Sequence, residues 1–268
     1  MEKKNCTLIT GACGGLGRAF VKILSEKKEN LILTGTSQEK LDLLLNDFKS
    51  EFEDIFVLTI VCDLAKREDR NNLVDQINDN GLVVNKLINN AGAIIEGDIL
   101  RFSNEELENA VRVNCIGTVE LTKMIVENRD EFRKLEILTV SSQSAFQPIP
   151  HMAIYSATKS FLTSIMLALK VEWKNKNIVV TTVCPSGMAT NKEMCESIKS
   201  MGFNGKITTL PVEKVARCGL KALKRKRAMV IPGVMNKIIY FLSKFCSPYF
   251  LARTTGNIWK KSQSKRGF

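Results

Sequence analysis

The sequence predicts a doubly wound α/β fold, a parallel sheet with helices on both faces. Three observations lead there. Seven short runs rich in aliphatic and β-branched residues recur along the chain, longer helical patterns separate them, and a glycine-rich turn joins the first run to the first helical pattern. Repeated strand–helix–strand order gives parallel strands joined by right-handed crossovers.

The strand runs are Cys6–Thr10, Leu31–Gly35, Ile55–Val61, Lys86–Asn89, Glu136–Val140, Ile178–Val183 and Ala228–Ile231. They are short and apolar, as strands covered on both faces should be. Helical patterns run over 16–28, 39–51, 105–127 and 154–173. The segment 188–207 has weaker periodicity and carries Gly202 and Gly205, so it reads as an insertion or lid beside the sheet. No repeat or linker divides the chain. The expectation is one dinucleotide-binding domain over residues 1–268, with a core at about 4–231 and a helical extension at about 232–268.

Composition supports a packed core, with 44% hydrophobic and 25% charged residues. Eight cysteines form no Cys-x-x-Cys pair, and His151 is the one histidine. Reduced thiols are expected, with no metal site. The N-terminus passes from a few charges straight into the first strand, which points to a cytoplasmic protein. The net charge of +11 is uneven. From Lys214 onward there are 14 Lys/Arg and no Asp/Glu, leaving 25 basic and 28 acidic residues before it. That pattern argues against a nucleic-acid protein. It fits a local contact with an anion, an acidic partner or a membrane surface.

In such sheets ligands bind beyond the carboxyl ends of the strands. After the first strand comes Thr10-Gly11-Ala12-Cys13-Gly14-Gly15-Leu16-Gly17. Gly11, Gly15 and Gly17 allow a tight turn and close backbone approach to a pyrophosphate. The helix beginning near Leu16 offers unpaired N–H groups to it. The Gly-x3-Gly-x-Gly spacing after a threonine resembles the short-chain dehydrogenase/reductase family, a Rossmann-type fold, and later motifs extend the resemblance over about 4–190. Asp63 follows the third strand, where the family bonds the adenine ring. Asn89-Asn90-Ala91-Gly92 follows the fourth, where Asn90, Ala91 and Gly92 line the family's cofactor pocket. Asn114 falls in the next helix at the family's structural and catalytic asparagine. Taken singly, Asp63 reads as a helix cap, Asn89-Asn90 as a turn and Asn114 as a solvated residue.

The second strand ends Thr34-Gly35-Thr36-Ser37-Gln38, without the acid that would bond a ribose diol and repel a 2′-phosphate. NADP(H) is therefore favoured over NAD(H). Thr36 and Ser37 are the candidate phosphate donors, because the family's frequent arginine is missing there.

Tyr155 and Lys159 lie four apart, hence on one helical face. Reducing a carbonyl adds hydride to carbon and a proton to oxygen. A phenol can supply that proton if a neighbouring cation stabilises the phenolate. Ser142 stands at the end of the fifth strand, with Ser141 and Ser144 as near alternatives. The set resembles the family's Ser…Tyr-x3-Lys constellation. That resemblance implies that Ser142 polarises the substrate oxygen, that Lys159 also bonds the nicotinamide ribose, and that Asn114 holds a water relaying protons. Pro185-Ser186-Gly187 and Thr190 resemble the family's loop beside the nicotinamide, with Gly187 displaced by Ser186. His151 reads as a solvated loop residue, with substrate contact as the alternative.

In the extension, Val234, Ile238, Phe241 and Phe245 share one helical face, while Lys237 and Lys244 share another. The segment reads as a terminal helix docked over the cleft or the sheet. A membrane-surface anchor that also uses Trp259 is the alternative. The expected activity is hydride transfer between NADP(H) and an apolar carbonyl or alcohol, such as a 3-oxoacyl, steroid-like or other lipid substrate. A dinucleotide-binding sensor of the same fold is the competing reading. The resemblance also implies a homodimer or homotetramer.

Overall fold

The computed structural model of this chain describes residues 4–188 and 207–264. Seven strands form one sheet: β1 (Lys4–Ile9), β2 (Leu31–Gly35), β3 (Val57–Val61), β4 (Leu82–Asn89), β5 (Leu135–Val140), β6 (Ile178–Val183) and β7 (Met229–Val230). Their order is β3-β2-β1-β4-β5-β6-β7, with every pair parallel. The α-helices are α1 (Gly15–Ser25), α2 (Gln38–Asp47), α3 (Arg67–Asp79), α4 (Asn104–Val111), α5 (Thr118–Glu127), α6 (Ala153–Glu172), α7 (Val212–Lys224), α8 (Val234–Ser243) and α9 (Pro248–Ser264).

The register explains the two cores. Leu8, Ile32, Leu87 and Ile137 stand side by side and pack with side chains of α3, α5 and α6. Their successors Ile9, Leu33, Ile88 and Leu138 turn to the other face and pack with α1, α2 and α7. Successive side chains point to opposite faces of a strand, so runs apolar on both faces need helices on both. The chain winds outward from β1 to β3, then restarts at β4 on the other side of β1. That reversal opens a crevice at the carboxyl ends of β1 and β4.

One expected helix is not continuous. Between α4 and α5 the backbone widens into a π-helical turn over Arg112–Gly117. Two contacts account for it. The Asn114 side chain bonds Ala93 twice, accepting from its N–H and donating to its carbonyl, each at 2.8 Å. Gly117 lies so close to the loop after β3 that a Cβ there would fall 2.1 Å from the Leu64 carbonyl oxygen. Such bulges concentrate at functional sites.

The C-terminal helices differ from a helix docked by its apolar face. The α8 side chain that is buried is Asn236, with Tyr240 and Ser243 half-buried behind it, whereas Val234, Ile238, Phe241 and Phe245 point outward. The segment expected to form a lid lies, but for its two end residues, outside the described residues. Among the described residues seven cysteines are free, and no cluster of His, Cys, Asp and Glu is arranged to hold a metal. No described helix is long and apolar enough to cross a membrane.

Candidate active site

A cleft of about 800 Å³ runs along the carboxyl edge of the sheet, from Thr36, Lys40 and Asp63 at one end to Ser142, Tyr155, Lys159 and Pro185 at the other. Gly11, Gly15, Leu16 and Gly17 form its floor, and Asn90, Ala91 and Gly92 one wall. Its size is within the range of small-molecule sites.

The floor is built by residues that clamp one another. The Thr10 hydroxyl accepts the N–H groups of both Asn90 and Ala91 at 3.0 Å. The Asn90 amide returns to the Thr10 and Gly11 carbonyls at 3.0 and 2.9 Å. Gly11 has φ +62°, and a Cβ there would sit 2.9 Å from the Ala91 Cα. A Cβ on Gly17 would fall 2.3 Å from the Gly11 carbonyl oxygen. Only residues without side chains let the turn and α1 close this tightly. Gly14 caps α1 without a side-chain bond, so the first N–H groups of α1 face the cleft rather than a capping side chain. A bare, positively polarised helix end in a groove of this length suits the pyrophosphate of a dinucleotide.

The end of β2 carries Thr36 but no acid. Ser37 is not in the cleft wall, because its hydroxyl accepts the Lys40 N–H at 3.3 Å and caps α2. Lys40, in the first turn of α2, lines the cleft instead. The sequence reading missed it by seeking a cation at the strand end itself. Asp63 lines the same end, with one carboxylate oxygen accepting from Ala65 N–H at 2.9 Å.

At the other end α6 brings Tyr155 and Lys159 onto one face, as their spacing requires. The Lys159 ammonium donates to the Val140 carbonyl at 3.0 Å and lies 5.7 Å from the centre of the Tyr155 ring. It also stands 3.3 Å from where a Gly92 Cβ would be. Glycine there leaves room for it. Ser142 lines the cleft with Tyr155 and favours the ionised phenol, while its hydroxyl accepts the Ser144 N–H at 3.1 Å. Ser141 instead directs its hydroxyl into α6, to the Lys159 carbonyl at 2.9 Å and Thr163 at 2.7 Å. Ser144 turns its hydroxyl into the protein, where it has no partner.

Burial drives both ionisable groups toward neutrality. It lowers the Lys159 ammonium to about 8, with small opposing contributions from Cys184 and Cys115. It raises the Tyr155 phenol above its ordinary value, and Ser142 offsets part of that rise. The sequence reading expected Lys159 to lower the phenol. Here burial dominates and the Lys159 ammonium makes no resolved contribution, so Tyr155 stays protonated through neutral pH.

Asn114 is fully buried and stands behind the cleft wall. Besides its Ala93 bonds it donates to the Thr158 hydroxyl at 3.0 Å, tying the Asn90–Ala93 segment to the helix that bears Tyr155. Its side-chain amide is thus engaged by protein. After β6, Pro185, Ser186 and Met188 line the cleft, and Gly187 does not. The Gly187 carbonyl turns away to accept the Leu210 N–H at 3.2 Å. Thr190 lies outside the described residues. His151 has φ +65° and lines a second, apolar pocket of about 210 Å³ with Ile95, Ile99, Phe102, Leu107 and Ile154.

Comparison with known proteins agrees with this geometry. A family described as short chain dehydrogenase matches residues 5–200. The very-long-chain 3-oxoacyl-CoA reductase of Neurospora crassa is 34% identical over 186 residues, 68% of this chain and 55% of that protein. The chain therefore spans little more than half the length of that relative. A short-chain dehydrogenase from Sphingobium yanoikuyae in complex with NADPH superposes with a TM-score of 0.74 at 21% identity, covering 91% of this chain and 96% of that one. A 4-hydroxyisoleucine dehydrogenase complexed with NADH gives 0.72 at 22% identity, covering 86% and 98%.

Proposed function

Because the chain belongs to the short-chain dehydrogenase family, we propose that it is an NADP(H)-dependent oxidoreductase that interconverts an apolar ketone and its secondary alcohol. One observation carries the reading: the Tyr155 phenol lines a dinucleotide-sized cleft together with Ser142, and the buried Lys159 ammonium lies 5.7 Å from its ring centre. A nicotinamide dinucleotide bound there supplies or takes up the hydride. The residues of the chain handle the proton and the geometry. Ser142 orients the substrate oxygen beside Tyr155. Tyr155 gives its proton to that oxygen as the carbonyl carbon gains hydride, and takes it back in the oxidative direction. Lys159 stabilises the phenolate, bonds the nicotinamide ribose and passes a proton on through a water held near Asn114. A positioned acid of this kind contributes about 10²–10⁴ in rate.

Thr36, Lys40 and the absence of an acid at the end of β2 support NADP(H) over NAD(H). Gly11, Gly15, Leu16, Gly17, Asp63, Asn90, Ala91, Gly92 and Pro185 hold the remainder of the cofactor, with Gly187 and Thr190 contributing from the loop after β6. The likeness to a 3-oxoacyl-CoA reductase, and the apolar pocket beside Ile154, support a 3-oxoacyl or similar lipid substrate. The described cysteines are free, which suits a cytoplasmic, reducing compartment, and self-association through sheet-flanking helices completes the proposal. NADPH consumption with a panel of 3-oxoacyl thioesters and bulky ketones tests it. Wild type turns over at least one of them, and Tyr155→Phe loses two or more orders of magnitude in kcat while binding NADPH with unchanged Kd. NADPH binding without turnover on any ketone, indifferent to Tyr155→Phe, would return the chain to a sensor role.

A further inference from the structure

We infer that α8 and α9 form a docking surface for an anionic lipid bilayer, set beside the mouth of the active-site cleft. The inference stands on the outer face of the extension and does not depend on the proposed reaction.

The helix α8 is inside out. A surface helix of a soluble protein turns its apolar stripe to the core and its polar stripe to water. Here the fully buried side chain is Asn236, 1% exposed, and Tyr240 and Ser243 follow it one and two turns on along the same inward stripe. The Asn236 amide donates to the Thr208 and Pro232 carbonyls at 3.0 and 2.9 Å. Its backbone carbonyl accepts from the Gln143 side chain at 2.9 Å, and Tyr240 packs on Phe146 with ring centres 4.4 Å apart. These contacts fasten α8, by its polar side, to the loop that starts at Ser142. The following helix is fastened to the same loop, where Gly256 packs against Pro150 and the Thr255 hydroxyl reaches the Pro148 carbonyl.

The opposite side carries the apolar residues. Val234 is 75% exposed, Phe241 60%, Phe245 75% and Tyr249 79%, with Met235, Ile238, Leu242 and Phe250 between them. Large apolar side chains exposed in this number on two consecutive helices mark an interaction site rather than ordinary scattered surface. Phe241 and Phe245 stack edge to face at 5.2 Å. This is a preformed hydrophobic ridge, and something must cover it.

Charge selects the occupant. Lys237, Lys244 and Arg253 are exposed along the same two helices, and the chain from Lys214 onward contains no acidic residue. A second copy docked by the same ridge would bring two sets of these cations together with no acid from either segment to offset them. An anionic membrane surface satisfies both features at once: apolar side chains enter the acyl boundary while lysine and arginine heads meet the lipid phosphates. Because the polar side of α8 is bonded to the loop that follows Ser142, a bilayer held on this ridge would lie one helix away from that loop.

Flotation of the full chain with vesicles tests this, using phosphatidylcholine alone and phosphatidylcholine with 30% phosphatidylglycerol, at physiological salt. Wild type is expected to float with the anionic vesicles and to bind neutral ones at least tenfold more weakly. Phe241→Ser with Phe245→Ser should lose at least tenfold, as should Lys237→Glu with Lys244→Glu. Phe132→Ser, an exposed aromatic at the opposite end of the sheet, should change nothing. An unchanged circular dichroism spectrum and urea midpoint in every variant show that the fold is intact. Failure of wild type to float overturns the inference. So does equal flotation of wild type and the double-serine variant, or a ridge variant that turns a dimer into a monomer without altering flotation.

Discussion

The cleft floor and the C-terminal ridge are two surfaces of one molecule with opposite logic. Around the cleft, polar side chains are spent inside the chain. Thr10 binds Asn90 and Ala91, Asn114 binds Ala93 and Thr158, and Ser141 binds Lys159. On the ridge, large apolar side chains that could have been spent inside stand in solvent, and the helix is held by an asparagine instead. The side chains of the first surface are fixed by one another before any ligand arrives. The second is incomplete without a partner outside the chain. Substitutions at the floor should therefore cost folding energy, and substitutions on the ridge should cost almost none.

The largest expected effect is at the floor. Gly17→Ala places a methyl 2.3 Å from the Gly11 carbonyl oxygen and 2.8 Å from that of Ala12. Both are backbone atoms of a turn already held by Asn90. Overpacking with no flexible neighbour to yield costs about 3 kcal/mol. Urea unfolding should show that loss together with loss of NADPH binding. A variant with wild-type stability would mean that the turn is looser than its bonds suggest.

Next comes Lys159. Its folded pKa of about 8 lies below the ordinary lysine value, so between the two the unfolded chain binds more protons. Stability from this group therefore rises with pH, by about 2 kcal/mol from pH 7 to 9.5. The rise should vanish in Lys159→Met. Parallel pH profiles of wild type and variant would show that the ammonium is not desolvated in the folded protein.

The same contrast governs how much was legible in the sequence. Tyr155 and Lys159 could be read because a helix has a fixed period, and Gly11, Gly15 and Gly17 because close backbone approach admits little else. The sheet followed from seven apolar runs, since strands buried on both faces leave no alternation to misread. What escaped depended on contacts distant in sequence. The π-turn at Arg112–Gly117 exists because Asn114 reaches Ala93 and Gly117 reaches Leu64, and no local pattern encodes either. Lys40 escaped because it approaches the cleft from the first turn of α2 rather than from the strand. Periodicity found the face Val234–Ile238–Phe241–Phe245 but could not say which way it points, because a helical period carries no direction.

Asn236→Ala sharpens the comparison from the ridge side. It removes two donated hydrogen bonds, to the Thr208 and Pro232 carbonyls, but it also removes a buried side-chain oxygen that has no partner. The balance is a loss of about 1 kcal/mol. The loss should be local: hydrogen exchange should quicken in α8 while β1, β4 and β5 keep their protection.

The smallest effect is the most pointed. Phe241→Ser with Phe245→Ser removes two phenyl groups, a change that costs about 3–5 kcal/mol per residue in a core. Phe20, fully buried between α1 and the sheet, is the matching control: Phe20→Ala should lose that much. The ridge pair, exposed in the isolated chain, should shift stability by no more than about 0.5 kcal/mol. Measured at sub-micromolar concentration without lipid, a loss above 1 kcal/mol would mean that the ridge is already covered by protein, and the asymmetry between the two surfaces would collapse. A neutral result without lipid, joined to a loss with anionic vesicles present, would locate the missing part of this fold's hydrophobic burial in the bilayer.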